Sequence, residues 1–349
     1  MKTVKRKQAM KKCNLAVVGA TGAVGESLLS ILAERKFPVE NIYALASERS
    51  AGTSVMFGNK PITVENLADF DFSKVEIGLF SAGGSISEEF APKAADAGCV
   101  VIDNTSCFRY EDEIPLVVTE VNSQCLADYR NRNIIANPNC STMQMVVALK
   151  PIHDAAGIRR ISVATYQAVS GAGRAAVEEL ARQTAALLNG RPPEAEVFPS
   201  QIAFNALPHI DKFLDNGYTR EEMKMSWETC KILGDDSIRV SATCVRIPVF
   251  YGHSEAVQIQ TERPISAAEA RDLLIAAPGV SVIDDPDSNE YPTPVEHAAA
   301  TDPVFVGRIR EDISMENGIN LWIVADNIRK GAALNTVQIA ELLLEEYLS

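Results

Sequence analysis

One stretch constrains this chain more than any other. The apolar run Asn14 to Val18 (NLAVV) enters Gly19-Ala20-Thr21-Gly22-Ala23-Val24-Gly25, after which Val24, Leu28, Ile31 and Leu32 recur at helical spacing. Strand, glycine turn and amphipathic helix in that order open a dinucleotide-binding βαβ unit. Glycines let the backbone approach a pyrophosphate, and the helix N-terminus offers free N–H groups and a positive dipole end. The spacing is GxxGxxG rather than GxGxxG, so the turn alone does not decide the matter. A second strand-like run, Asn41 to Ala46, ends in Ser47-Glu48-Arg49-Ser50. An acidic side chain there would hold the ribose 2′-OH of NAD, whereas arginine with hydroxyls suits the 2′-phosphate of NADP. Glu48 fits the first reading; Arg49 with Ser50 fits the second and favours NADP. Val75 to Phe80 runs into Ser81, residues 88–97 read as a helix, and Cys99 to Ile102 runs into Asp103. Each strand ends in small or polar residues, as at the carboxyl edge of a parallel sheet.

The next turn carries a thiol. Asn133 to Ala136 leads into Asn137-Pro138-Asn139-Cys140-Ser141-Thr142, and Met143 to Ile152 has helical character. Pro138 turns the chain, and Asn139, Ser141 and Thr142 are cap-type residues, so Cys140 falls at or beside a helix start. A helix N-terminus or nearby cation raises the thiolate fraction of a cysteine, and only the thiolate attacks carbon. The residues alone leave Cys140 open as either a nucleophile or a packed thiol. The other six cysteines (13, 99, 107, 125, 230, 244) have no such setting, and the seven form no CxxC pair. With four histidines besides, neither a disulfide framework nor a metal site is expected, and the thiols read as cytoplasmic and reduced.

Acidic residues outnumber basic ones, 46 to 33, for a net charge of −13, which argues against nucleic acid or an anionic membrane as the main partner. No apolar run approaches the roughly 20 residues of a membrane span. The length of 349 residues suggests two domains. Lys2, Lys5, Arg6, Lys7, Lys11 and Lys12 make residues 1–12 a basic arm, with no apolar segment after it to form a secretory signal.

Beyond residue 140 the strands lengthen. Arg160 to Val169 reads as a strand, Gly171-Ala172-Gly173 as a turn and Ala175 to Leu188 as a helix. Thr219 with Glu222 forms a capping box for a helix reaching Leu233. Glu221 and Lys224 share a face of that helix, where a surface ion pair is the plain expectation. Ile238 to Ile247 and His253 to Thr261 read as strands, and a reversal between them would bring Arg246 beside His253. Val304 to Ile309 and Ile319 to Ala325, linked through Glu316-Asn317-Gly318, read as a hairpin. The segment from Gly331 to Leu348 reads as a closing helix.

Taken in order, GATGAVG, LASERSAG, SAGG, DNTSCFR, NPNCST, TYQAVSGAG and HSEAV resemble the aspartate-semialdehyde dehydrogenase family, from about residue 13 to the C-terminus. NPNCST is the most specific segment; the related N-acetyl-γ-glutamyl-phosphate reductases typically carry NPGC. The resemblance implies an α/β fold: a Rossmann-type NADP-binding domain (13–139 with 328–349) plus an α+β substrate-binding and dimerisation domain (140–327). It implies reversible NADPH-dependent reduction of L-aspartyl 4-phosphate to L-aspartate 4-semialdehyde and phosphate, feeding synthesis of lysine, threonine, methionine and isoleucine, in a homodimer or homotetramer. Cys140 would be the acylated nucleophile and His253 the acid/base. Arg109, Asn139, Gln167, Glu221, Lys224 and Arg246 would bind substrate, with Arg109 and Lys224 on phosphate, Arg246 on the α-carboxylate and Glu221 on the amino group. Gly19, Thr21, Gly22, Ala23, Val24, Arg49, Ser50, Ser81, Ser170, Gly171 and Asn327 would contact NADP. The rival readings are another acyl-phosphate reductase, a nonenzymatic NADP sensor and a cofactor-free cysteine hydrolase. The segment before Arg109 departs from the family's usual DNSSAFR by Thr105 and Cys107, which places a second thiol near the site.

Overall fold

A computed structural model describes residues 11–348; the basic arm read over 1–12 lies, apart from Lys11 and Lys12, outside the described residues. The first half of the chain supplies a seven-stranded sheet. Its strands are β1 (Cys13–Val18), β2 (Val39–Ala46), β3 (Ser54–Phe57), β4 (Lys60–Asn66), β5 (Ile77–Phe80), β6 (Val100–Asp103) and β7 (Ile134–Ala136), in the order β3-β4-β2-β1-β5-β6-β7. The short apolar runs of β1, β5, β6 and β7 are almost wholly buried, as expected of parallel strands covered on both faces. β1 pairs in parallel with β2 on one side and β5 on the other, so the strand order reverses there. The glycine turn therefore lies where a doubly wound sheet binds its ligand. The antiparallel β3–β4 hairpin was not among the elements legible in the sequence.

Helices α1 (Ala23–Glu34), α2 (Gly84–Asp96) and α3 (Thr119–Asn122) accompany this sheet. The long α4 (Cys140–Ala156) then leads away from it. One apolar cluster runs from the first sheet (Val18, Phe80, Val101) through α4 (Met143, Val146, Leu149) into a second sheet (Ile161, Val163, Ile259, Ile323). That sheet comprises β8 (Ile158–Gln167), β9 (Arg239–Arg246), β10 (His253–Thr261), β11 (Val280–Val282), β12 (Val304–Glu311) and β13 (Gly318–Ala325), in the order β11-β12-β13-β10-β8-β9. Around it lie α5 (Arg174–Leu188), α6 (Arg220–Leu233) and α7 (Ala267–Ala276). The chain closes with α8 (Leu334–Glu346), whose Val337, Ala340 and Leu343 join Leu15, Val17, Leu28 and Leu79 in the core of the first sheet. Each fully buried leucine there contributes about 1.5–3 kcal/mol.

The expected adjacency of β9 and β10 is corrected. β8 lies between them, antiparallel to β10 and parallel to β9. Ser254 faces Tyr166 and Gln167 faces Arg246, so His253, Gln167 and Arg246 end abreast at one end of the sheet. The segment from Ile247 to Gly252 is therefore no tight reversal: it crosses the end of β8 and bonds to the following turn through Val169 N–H to Val249 O (2.9 Å). Among the described residues no helix is long and apolar enough to cross a membrane.

Candidate active site

The turn Asn137-Pro138-Asn139 delivers Cys140 as the first residue of α4. Asn139 caps the helix: its Oδ1 accepts from the N–H of Ser141 (3.0 Å) and Thr142 (3.2 Å), an arrangement contributing ~1 kcal/mol. The turn is tied to the closing segment by Asn335 Nδ2, which donates to Asn137 Oδ1 (2.7 Å). Gly331 packs against the nucleophile so closely that a Cβ there would stand 2.7 Å from Cys140 Cβ.

A cavity of about 310 Å³ is lined by Cys140 together with Ser106, Arg109, Asn139, Gln167, Gly171, Ile210, Asp211, Glu221, Lys224 and Arg246. Seven of the eight residues read as catalytic or substrate-binding thus meet at one surface, from five separate segments of chain. The eighth, His253, is fully buried just behind it, its Nε2 3.4 Å from Gln167 Nε2. Gly171 makes the approach possible: a Cβ there would lie 3.0 Å from Arg246 Nη1 and 3.3 Å from His253 Nε2.

Glu221 is the hub. Its Oε1 accepts from Asn139 Nδ2 (2.9 Å) and Gln167 Nε2 (3.2 Å), and its Oε2 accepts from Lys224 Nζ (2.9 Å). Burial acts to raise its pKa, but Lys224 and the amide donors outweigh it and bring the carboxyl down to about 2. The pair with Lys224, expected on the surface, is instead enclosed, and Lys224 also holds Asp211 (2.8 Å). The capping box that starts α6 is present, and Glu222 of that box also accepts from Cys244 N–H (3.0 Å), fastening α6 to β9.

The thiol does not behave as its helix position alone suggests. Cys140 keeps some exposed area, yet burial and then Glu221 push its pKa up to about 12, against the pull of Arg246, Arg109 and Lys224. Desolvation of the thiolate, with the Glu221 charge, exceeds what the three cations return. His253 is held down at about 3, by burial first and then by Arg246, with Glu221 opposing. Ala168 N–H donates to its Nδ1 (3.0 Å), so the neutral ring carries its proton on Nε2. Arg246 is anchored by donating Nη1 to Ala168 O (2.7 Å).

Arg109 is not a solitary cation. Its Nη1 pairs with Glu228 (2.9 Å) and its Nη2 donates to Asn104 O (2.9 Å). Glu228, Asp211, Ser106 and Ile210 were not singled out from the sequence. Glu228 had one available signal: it lies seven residues after Glu221, on the α6 face that carries the buried Met225 and Ile232.

The residues read as nucleotide contacts fall at the β1 turn, in the turn after β2, at the end of β5 and in the turns after β8 and β13. A Cβ on Gly19 would meet the Ser81 backbone at 2.9 Å, and one on Gly25 would collide with Gly19 O. Gly22 is the N-cap of α1 and no side chain caps that helix, so the N–H groups of Ala23 and Val24, beside Thr21, are left for an anion. Arg49, exposed, and Ser50 sit in a single turn (Glu48–Ser50) beyond β2. Ser81 Oγ donates to Val18 O (3.2 Å), and Asn327 Nδ2 donates to Ser170 Oγ (3.0 Å). A glycine cradle under an uncapped helix fits a dinucleotide pyrophosphate.

Comparison with known proteins agrees in both halves. Residues 14–129 match the family described as semialdehyde dehydrogenase, NAD binding domain, and residues 149–330 match semialdehyde dehydrogenase, dimerisation domain. The aspartate-semialdehyde dehydrogenase of Legionella pneumophila is 63% identical over 335 residues, covering 96% of this chain and 96% of that protein. That of Bacillus subtilis is 52% identical over 338 residues, covering 95% and 97%. The crystal structure of aspartate semialdehyde dehydrogenase II complexed with ASA from Vibrio cholerae superposes with a TM-score of 0.95 at 59% identity, over 97% of this chain and 99% of that one. The Candida albicans enzyme, crystallised with NADP, gives a TM-score of 0.76 at 26% identity, over 95% and 98%.

Proposed function

The chain belongs to the aspartate-semialdehyde dehydrogenase family, and on that basis we propose that it interconverts L-aspartyl 4-phosphate and L-aspartate 4-semialdehyde with NADPH, through a thioester on Cys140, as a step in amino-acid biosynthesis. The observation that carries this reading is the convergence of Cys140, Gln167, Glu221, Arg246, Lys224 and Arg109 on one cavity. Cys140 Sγ bonds to the acyl carbon as its S–H proton passes to the departing phosphate, and the C–O bond breaks so that phosphate leaves with its electron pair. Arg109 and Lys224 hold the phosphate as charge accumulates on it. The planar guanidinium of Arg246 clamps the α-carboxylate, and the ionised Glu221 meets the ammonium. That last contact also acts on the nucleophile: Glu221 is the charge that raises the thiol, so a bound ammonium that neutralises it favours the thiolate.

His253 stays neutral and presents Nε2–H, which suits it to donate to the acyl oxygen as negative charge forms there. NADPH, when bound, supplies hydride to the acyl group; Gly19, Thr21, Gly22, Ala23, Val24, Ser81, Ser170, Gly171 and Asn327 would hold it, with Arg49 and Ser50 on its 2′-phosphate. We assign residues 13–139 with 328–349 to nucleotide and 140–327 to substrate. A homodimer is supported by the exposed aromatics on the outer face of the second sheet, where Tyr166 packs on Trp322 (5.5 Å) near the half-exposed Tyr291. An ionised, buried Glu221 favours a free amine over the acetylated amine of the acetylglutamyl reductases. The test mixes protein, aspartate semialdehyde, phosphate and NADP and follows reduced nicotinamide. A signal that requires phosphate and vanishes in Cys140→Ser is expected; no phosphate-dependent signal defeats the reading.

A further inference from the structure

We infer that Glu228 is a positioning residue of this site, one buried carboxylate that sets both the guanidinium of Arg109 and the backbone immediately ahead of Cys140. The inference rests on the reading of Arg109 as a phosphate ligand. Glu228 lies on α6 with no exposed surface. A carboxylate so placed is tolerated only if it is fully engaged, and this one is. Its Oε1 accepts from Arg109 Nη1 (2.9 Å) and from the hydroxyl of Tyr110 (3.3 Å), while its Oε2 accepts from Asn139 N–H (2.6 Å).

The two oxygens therefore serve two different lining residues of the cavity. Asn139 is the cap of α4, and its side chain donates to Glu221, so a shift of its backbone moves the nucleophile and the ammonium ligand together. Arg109 is held at Nη1 by Glu228 and at Nη2 by Asn104 O, while its Nε is buried with no partner. A guanidinium carries five N–H donors in a rigid fork, so two anchors fix its plane and leave donors for an anion. Glu228 also offsets the charge of Arg109, with which it pairs. The charged groups acting on Cys140 are Glu221, Arg246, Arg109 and Lys224. Arg109 without its counter-ion would pull the thiol further toward thiolate.

Charge and position separate in two variants. Glu228→Gln keeps the size, loses the charge and turns an amide N–H₂ toward Arg109 or Asn139. Glu228→Asp keeps the charge but is one methylene too short to reach both partners. The probes are iodoacetamide alkylation of Cys140 as a function of pH, and kcat per alkylatable active-site thiol. In Glu228→Gln the alkylation midpoint should move to lower pH, and kcat should fall about tenfold or more through misplacement of the reacting groups. In Glu228→Asp the midpoint should return toward wild type while kcat stays low. A residue that only fills the core would lower the melting temperature and move neither readout, and that result overturns the inference. Should Glu228→Gln not fold, Glu228→Asp decides alone: wild-type kcat overturns the inference, and about tenfold loss per active thiol supports it. A wrong functional reading would show first in the wild-type protein, as absent phosphate-dependent NADP reduction; the alkylation midpoint tests Glu228 in either case.

Discussion

Replacing Gly331 with alanine should disable the nucleophile without unfolding the chain. Gly331 lies in the wide helical turn Arg329–Ala333 and is buried. An added Cβ would stand 2.7 Å from Cys140 Cβ and 3.2 Å from its Cα. Saturated carbons settle about 3.5–4.0 Å apart, so roughly 1 Å must be found. Neither side yields easily. Gly331 N–H is bonded to Asp326 O (3.1 Å), and Asp326 Oδ1 accepts from the N–H of Ile328 and Arg329 (2.8 Å each). Cys140 is pinned by the Asn139 cap. The strain costs about 1–3 kcal/mol of stability, which a domain of this size survives. The same ångström of displacement at a reacting atom costs about 10²-fold in rate, or ~2.7 kcal/mol of barrier. Steady-state kcat/KM, the iodoacetamide rate at Cys140 and a thermal melt measure the three effects. Gly84→Ala is the control, since a Cβ there meets nothing within 4 Å. If Gly331→Ala keeps kcat/KM within about threefold of wild type, the packing argument is wrong.

Three further outcomes are expected. His253 has its folded pKa held at about 3, below its ordinary value near 6.5, so between those limits the unfolded chain binds a proton that the native chain refuses. Its contribution is intact above pH ~6.5 and is lost as pH falls toward 3, by up to about 1.4 kcal/mol per unit. Urea midpoints compared at pH 7 and pH 5 should show a smaller loss in His253→Gln than in wild type; equal losses would refute the assignment. Arg49→Ala should raise KM for NADP about tenfold or more and leave KM for NAD within about twofold, because only NADP offers the 2′-phosphate for a charge-assisted bond. Equal changes in steady-state KM would remove Arg49 from the cofactor site. Cys107 is pushed up to about 11, by burial first and then by Asp103, Glu88 and Glu111. Cys107→Ser should keep kcat within about twofold while Cys140→Ser abolishes it; a loss in both would mean that the wrong thiol has been singled out.

Much of the framework was legible because it is written by near neighbours in the chain. The β1 turn, the Asn139 cap ahead of Cys140, the Thr219–Glu222 box and the β12–β13 hairpin each depend on a few consecutive residues, whose turn, cap and periodicity rules act locally. The β3–β4 hairpin escaped because its two largely exposed strands, one of them the sheet edge, alternate too weakly to stand out.

The reading of site residues as one constellation came through resemblance; how they sit was decided elsewhere. Strand order, a property of the whole sheet, put β8 between Arg246 and His253. Arg109 meets its counter-ion 119 positions along the chain, at a distance that no local pattern encodes. The thiol illustrates the division most plainly. Its sequence neighbours determine that Cys140 begins a helix, whereas its protonation depends on what encloses it. Three cations favour thiolate, but removal from water and one carboxylate outweigh them. Desolvation is set by every group that folds around an atom, so only the tertiary structure could decide it.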